Sequence, residues 1–213
     1  MGNGLAGRTV YAFGDSIVQG HVYPRSFVDL VAEREGMTLT KFARNGATIG
    51  ADPEASGGQI RAQVEGAAAV APDFVIFDGG TNDAESVVKG HYDVGTYAGE
   101  LEKTLHTMKR KYPTARIVYV AAHKLGSRDW ATQMALREVT LRASHTWDFV
   151  IADVFGDTAF DTRDDAQRAK YTFDDLVNGF PGTDGSGTHP NVAGITTFYV
   201  PVVSARLKQI SPR

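Results

Sequence analysis

Five short runs of apolar, β-branched and aromatic residues punctuate this chain: Thr9–Phe13 (TVYAF), Leu39–Ala43, Phe74–Asp78 (FVIFD), Arg116–Ala122 (RIVYVAA) and Phe149–Asp153 (FVIAD). Three of them are continuous rather than alternating, as in strands buried on both faces of a parallel sheet. Helical periodicity fills the intervals. Pro24–Glu35 has Pro near its first turn and places Phe27 and Val31 on one face. Gln59–Val70, Tyr97–Lys111, Trp130–Ser144 and Val192–Leu207 complete the set. Five strands, each followed by a helix, predict an open, doubly wound α/β sheet. Ligands meet such sheets at the carboxyl ends of the strands.

The 213 residues suit a single domain over 1–213. Residues 1–7 are expected to be a flexible N-terminus, and Val154–Thr188 a long irregular segment on the active-site side. The balance of 22 Lys+Arg against 25 Asp+Glu gives a net charge of −3, with no basic footprint for nucleic acid. The absence of Cys excludes a disulfide scaffold, a thiolate metal site and a cysteine nucleophile. No apolar run approaches the roughly 20 residues that span a bilayer, and the first residues lack the pattern of a signal peptide. A cytoplasmic protein is the expectation, although the mature form of an exported one would read the same.

Several motifs fail on context. Gly2–Gly7 matches G-x-G-x-x-G but precedes the first strand, where no dinucleotide loop can form. Val18 occupies the second Gly position of G-x-S-x-G. The six His show no metal-ligand spacing, and His21, His91, His106 and His145 read as structural. The acids Asp157, Asp161, Asp164, Asp165, Asp174 and Asp175 lack a calcium-loop pattern and read as a solvated face.

What remains falls at strand ends. Gly14-Asp15-Ser16 follows the first strand and by itself reads as an Asx turn or helix cap. Asn45-Gly46-Ala47-Thr48 follows the second, and Gly79-Gly80-Thr81-Asn82-Asp83 the third; a Gly N–H and an Asn amide can both hold an oxyanion. His189-Pro190-Asn191 opens the last helix, where an imidazole beside a Ser can accept its proton. Taken in order, these four blocks resemble those of the SGNH (GDSL-type) hydrolase family, from Gly14 to Gly194.

The resemblance implies a flavodoxin-like three-layer α/β/α sandwich with a five-stranded parallel sheet, and no cofactor or metal. It implies Ser16 as nucleophile and His189 as base, with Ser16 N–H, Gly46 N–H and the Asn82 amide as oxyanion donors. GDSI replaces GDSL. The family's Asp, three residues before the His, is Ser186 here, and the nearest acid is Asp184. Gly185 and Gly187 can fold the two extra residues away, so Asp184 is expected to orient His189, with the Ser186 carbonyl as the alternative. A substrate wall is open to Asp15, His123, Tyr171, Phe173 and Phe180, with a structural role favoured for His123.

The expected activity is hydrolysis of short acyl esters, such as acetyl groups on a carbohydrate, by a serine esterase. A thioesterase or lysophospholipase would need an apolar channel, for which no Leu/Met-rich segment is evident. A catalytically silent carbohydrate-binding module on the same fold is the other alternative.

Overall fold

The computed structural model describes residues 4–23, 25–174 and 185–211. Its strands are β1 (Thr9–Phe13), β2 (Thr38–Lys41), β3 (Phe74–Asp78), β4 (Arg116–Ala121) and β5 (Val150–Asp153). All pair in parallel, in the order β2-β1-β3-β4-β5. That order places the topological switch between β1 and β3, the crevice where such sheets bind ligands.

The helices are α1 (Ser16–Gln19), α2 (Phe27–Glu35), α3 (Ile60–Gly66), α4 (Thr81–Val88), α5 (Val94–Lys111), α6 (Trp130–Trp147), α7 (Val154–Asp157), α8 (Asp165–Tyr171), α9 (Val192–Gly194) and α10 (Val200–Ile210). Alternate residues of β1, β3, β4 and β5 feed two cores. Phe74 and Ile76 of β3 pack with Phe27 and Val31 of α2 and with Val203 and Leu207 of α10. Val75 and Phe77 pack on the other face with Ile60 and Val64 of α3, Leu101 and Leu105 of α5, and Leu136 of α6. Both faces are covered, which is why the strands read as unbroken apolar runs. A fully buried Leu such as Leu101 or Leu105 contributes about 1.5–3 kcal/mol, so α5 anchors its layer strongly.

Three features depart from expectation. Residues 4–7 are tied down: Leu5 is fully buried, and the Gly7 N–H donates to Gly36 O at 2.8 Å. The segment after β5 is not wholly irregular, since α7 and α8 lie within it. An additional helix, α4, springs directly from Gly80, whose φ of 100° turns the chain out of β3. Between α9 and α10 the chain widens into a π-helical segment, Ile195–Tyr199. Pro201 explains it: the ring would strike the carbonyl four residues back in a regular helix, so the Val200 N–H instead reaches Ile195 O. Among the described residues no helix is long and apolar enough to cross a membrane.

Candidate active site

The turn after β1 is fixed by two side chains from elsewhere in the fold and by its own Asp15. Gln63 of α3 clamps Gly14, accepting from its N–H and donating to its carbonyl, both at 2.9 Å. Asp78, at the end of β3, accepts the Asp15 N–H at 3.0 Å. A Cβ on Gly14 would lie 1.9 Å from Asp78 Oδ1, and φ there is 149°, so this position requires Gly. Asp15 then caps α1 by accepting the Ile17 N–H at 2.8 Å. Ser16 is left as the first residue of the helix, with an amide hydrogen that has no intrahelical acceptor.

Ser16 Oγ lies 2.7 Å from His189 Nε2. His189 Nδ1 lies 2.6 Å from Asp174 Oδ2, which also accepts the His189 main-chain N–H at 2.8 Å. A carboxylate on Nδ1 fixes the tautomer that leaves Nε2 free to accept the hydroxyl proton. The partner expected from the sequence, Asp184, lies outside the described residues, as does Phe180. The Nδ1 hydrogen bond belongs to Asp174, and neither Asp184 nor the Ser186 carbonyl is needed for it. Asp174 is also no part of a solvated acidic face: it is fully buried. A short antiparallel pairing delivers it. Thr172 bridges Pro190, the Phe173 N–H donates to His189 O at 3.2 Å, and the Asn191 N–H donates to Tyr171 O at 2.9 Å. Ser186, at the position of the family's usual acid, donates its hydroxyl to Asp174 Oδ2 at 3.4 Å. The carboxylate thus stands beside that position but arrives from another segment.

The two remaining blocks meet across β1 and β3. Gly46 (φ 74°) sits third in the turn closed by Ala47 N–H to Arg44 O, where positive φ favours Gly. Asn82 Nδ2 donates to Ala47 O at 2.9 Å, which fixes the amide with its second N–H still to give. Asp83 staples both loops together: it accepts from the Ile49, Gly50 and Gly80 N–H groups and from the Tyr92 hydroxyl. Burial raises its pKa and these four donors oppose the rise.

Asp15 and Asp78 form a buried acid pair beneath Ser16. Burial pushes Asp78 well above the usual carboxylate range, and the neighbouring Asp15 pushes it further; burial raises Asp15 too. Oδ2 of each is buried without a hydrogen-bond partner among the described residues. This has a testable consequence for stability. In the unfolded chain Asp78 releases its proton above about pH 4, whereas the folded state keeps it. Stability therefore falls by about 1.4 kcal/mol per pH unit from there up to the folded-state pKa. Asp78→Asn should remove this slope, and denaturant titrations between pH 4 and 8 should show a flatter, higher curve. Parallel curves for the two proteins would show that Asp78 folds ionised.

A family model described as the GDSL-like lipase/acylhydrolase family matches residues 12–195. The chain belongs to this family. Family membership supports an ester-hydrolysing enzyme. No curated protein matches the chain. Among solved structures, one from Lactobacillus plantarum is 19% identical with a TM-score of 0.72, over 96% of each chain. A family two carbohydrate esterase from Cellvibrio japonicus is 18% identical with a TM-score of 0.68, covering 97% of this chain and 62% of that one. Phospholipase A1 from Streptomyces albidoflavus NA297 is 15% identical with a TM-score of 0.61, over 94% of this chain and 100% of that one. At such identities the likeness shows a shared fold.

On this GDSL-like scaffold only part of the expected substrate wall reaches the crevice at Ser16 among the described residues. Asp15 is fully buried, spent on the helix cap and the acid pair. His123 is fully buried as well: its main-chain N–H donates to the Tyr199 hydroxyl, which in turn meets Nδ1 at 2.7 Å, and Nε2 faces Gly187 O at 3.2 Å. Burial pulls its pKa down to about 4, so it stays neutral and ties β4 to the segment leading into His189. Tyr171 packs edge-on against Phe160 and Phe198 and does not line the crevice at Ser16. Phe173 does line it.

Besides Asp174, sequence reasoning misses the place of His21. Its ring lies face to face with that of His189, centroids 3.8 Å apart and planes 4° apart. His21, Asp174 and His189 each offer a ligating atom within 4.8 Å of the others. Parallel rings, however, point their in-plane lone pairs side by side and do not converge on one ion, so the pair is a stack and not a chelate.

Proposed function

We propose that the protein is a serine esterase that cleaves short acyl esters of hydrophilic alcohols through an acyl-enzyme. The observation that carries this reading is the continuous hydrogen-bond chain from Ser16 Oγ through His189 to Asp174. His189 Nε2 takes the hydroxyl proton as Oγ bonds to the ester carbon, and the carbonyl π pair moves onto oxygen. The Ser16 and Gly46 N–H groups and the Asn82 amide receive that oxyanion. Its collapse breaks the bond to the alcohol, which leaves with the proton from His189. Water then attacks the acyl group, giving its proton to His189. Release of the acid returns that proton to Ser16.

The cavities support a small acyl group and a polar alcohol. The crevice at Ser16 and His189, closed by Ile17, Phe173 and Ile195, holds only about 10 Å³. A cavity of about 220 Å³ opens beside Gly46 and Asn82, lined by Asp52, Ser56, Ser86 and His91. Hydroxyl and carboxylate groups of that kind hydrogen-bond a polyol and repel a hydrocarbon chain. An apolar cavity of about 50 Å³ between β4 and α6 includes none of Ser16, Gly46, Asn82 or His189 among its lining residues.

A fluorophosphonate should label the intact protein once, and peptide mapping should find the adduct on Ser16. An adduct elsewhere, or none on folded protein, would reject the nucleophile. In a p-nitrophenyl ester series from acetate to palmitate, kcat/KM should fall beyond the shortest chains. A rise with chain length would favour a lysophospholipase or thioesterase.

A further inference from the structure

We propose that His21 is a positioning residue for His189: its ring is the platform that keeps the base in the plane shared by Ser16 Oγ and Asp174 Oδ2. The inference rests on the esterase reading above and extends it to a residue outside the four blocks. His189 is held within its plane at two atoms, Nδ1 by Asp174 and Nε2 by Ser16. Both contacts lie in the ring plane, so they resist rotation of the ring about its Cβ–Cγ bond only by bending, and a small tilt remains easy. A tilt carries the Nε2 lone pair off the line to Oγ, and misalignment of that kind slows proton transfer. A flat surface against the ring removes the tilt. His21 supplies one, with centroids at 3.8 Å and planes 4° apart. Phe173 continues the same orientation, 8° from the plane of His189 at 6.0 Å and 4° from that of His21 at 6.3 Å.

The chain is bent to achieve this. α1 is a single turn, and Gly20 (φ 107°) reverses the chain directly after it. His21 itself has φ 53°, a left-handed conformation uncommon for a residue with a Cβ. Asn45 Nδ2 donates to the His21 carbonyl at 3.4 Å and the Tyr23 N–H donates to Gly20 O at 2.8 Å, so the turn is held from both sides. Strain of this kind is kept where the surrounding structure enforces it, and here it places an imidazole over the base.

The rate of fluorophosphonate labelling at Ser16 tests this without a known substrate, because the reaction needs the same proton transfer. His21→Leu and His21→Ala should label about tenfold more slowly, through the maximal rate and not through reagent affinity. His21→Phe, which keeps a flat ring, should stay within about threefold of wild type. Leu and Phe are both bulky and apolar, so a gap between them reports ring stacking and not packing, and thermal melting checks that each variant folds. Equal rates for Leu, Phe and wild type would overturn the inference while leaving the nucleophile in place, as would a Phe variant as slow as Leu. Absence of a wild-type adduct on Ser16 would overturn the esterase reading and this inference with it.

Discussion

Asp174→Asn is expected to lower kcat on a small ester about 10³–10⁴-fold with KM little changed. The substitution preserves shape, so the effect isolates charge and tautomer. Asp174 Oδ2 accepts from both Nδ1 and the main-chain N–H of His189. An amide whose oxygen takes the place of Oδ2 keeps both hydrogen bonds, but the imidazolium then forms without a full negative charge beside it. An amide turned the other way faces Nδ1 with its NH2 group and drives the ring proton onto Nε2, where it blocks acceptance from Ser16. Asp174 is fully buried, so solvent screens little of the loss. Asp184→Asn serves as the internal comparison and should stay within a few-fold of wild type. Steady-state kinetics on p-nitrophenyl acetate decide the matter. Mild loss at Asp174 together with severe loss at Asp184 would transfer the orienting role to Asp184.

Asn82→Ala should cost about 10²–10³ in kcat, again with KM nearly constant, because the lost hydrogen bond is made to charge that exists only in the transition state. Two features make Asn82 a fixed donor. Its amide is bonded to Ala47 O, next to Gly46, and its neighbour Asp83 pins the Ile49–Gly50 and Gly80 backbone on either side. The donor is therefore aimed before substrate arrives. A loss under about fivefold would take Asn82 out of the oxyanion hole. Asn82→Asp should fare no better on the same reasoning, since a carboxylate offers an acceptor where a donor is required.

Much of the fold is legible in the sequence because strands buried on both faces leave unbroken apolar runs. β1 and β3 begin and end where Thr9–Phe13 and Phe74–Asp78 do. The same logic locates Ser16, Gly46 and Asn82, which lie just past strand ends, where the chain turns into the crevice. Asp174 is hidden for the opposite reason. It lies 15 residues before His189, and the pairing of Thr172 with Pro190 that closes this distance leaves no periodic mark. Asp174 also sits among other acids of the 157–175 stretch, and composition does not tell a buried carboxylate from a solvated one. His21 is hidden by a turn. Five residues of spacing from Ser16 suggest no contact with a histidine near the C-terminus, and only the one-turn length of α1 folds His21 back over it. The structural role of His123 is legible from its place at a strand end. Its partner Tyr199 is not, because a π-helical widening presents it, and the bearing of Pro201 on that widening emerges only from the backbone.

The antiparallel pairing that joins Tyr171–Phe173 to His189–Asn191 has a consequence for how such an enzyme can diversify. Asp174 and His189 are registered by main-chain hydrogen bonds between their own short segments, so their separation in space does not depend on the number of residues between them. Insertions and deletions between Asp174 and Ser186 should therefore be able to alter substrate selectivity while leaving the Asp174–His189 hydrogen bond intact. Selectivity and turnover become separately tunable traits. A lineage built on this arrangement could explore new substrates by altering the length of the chain between the two residues, a mutational step that would be ruinous if acid and base shared one short turn.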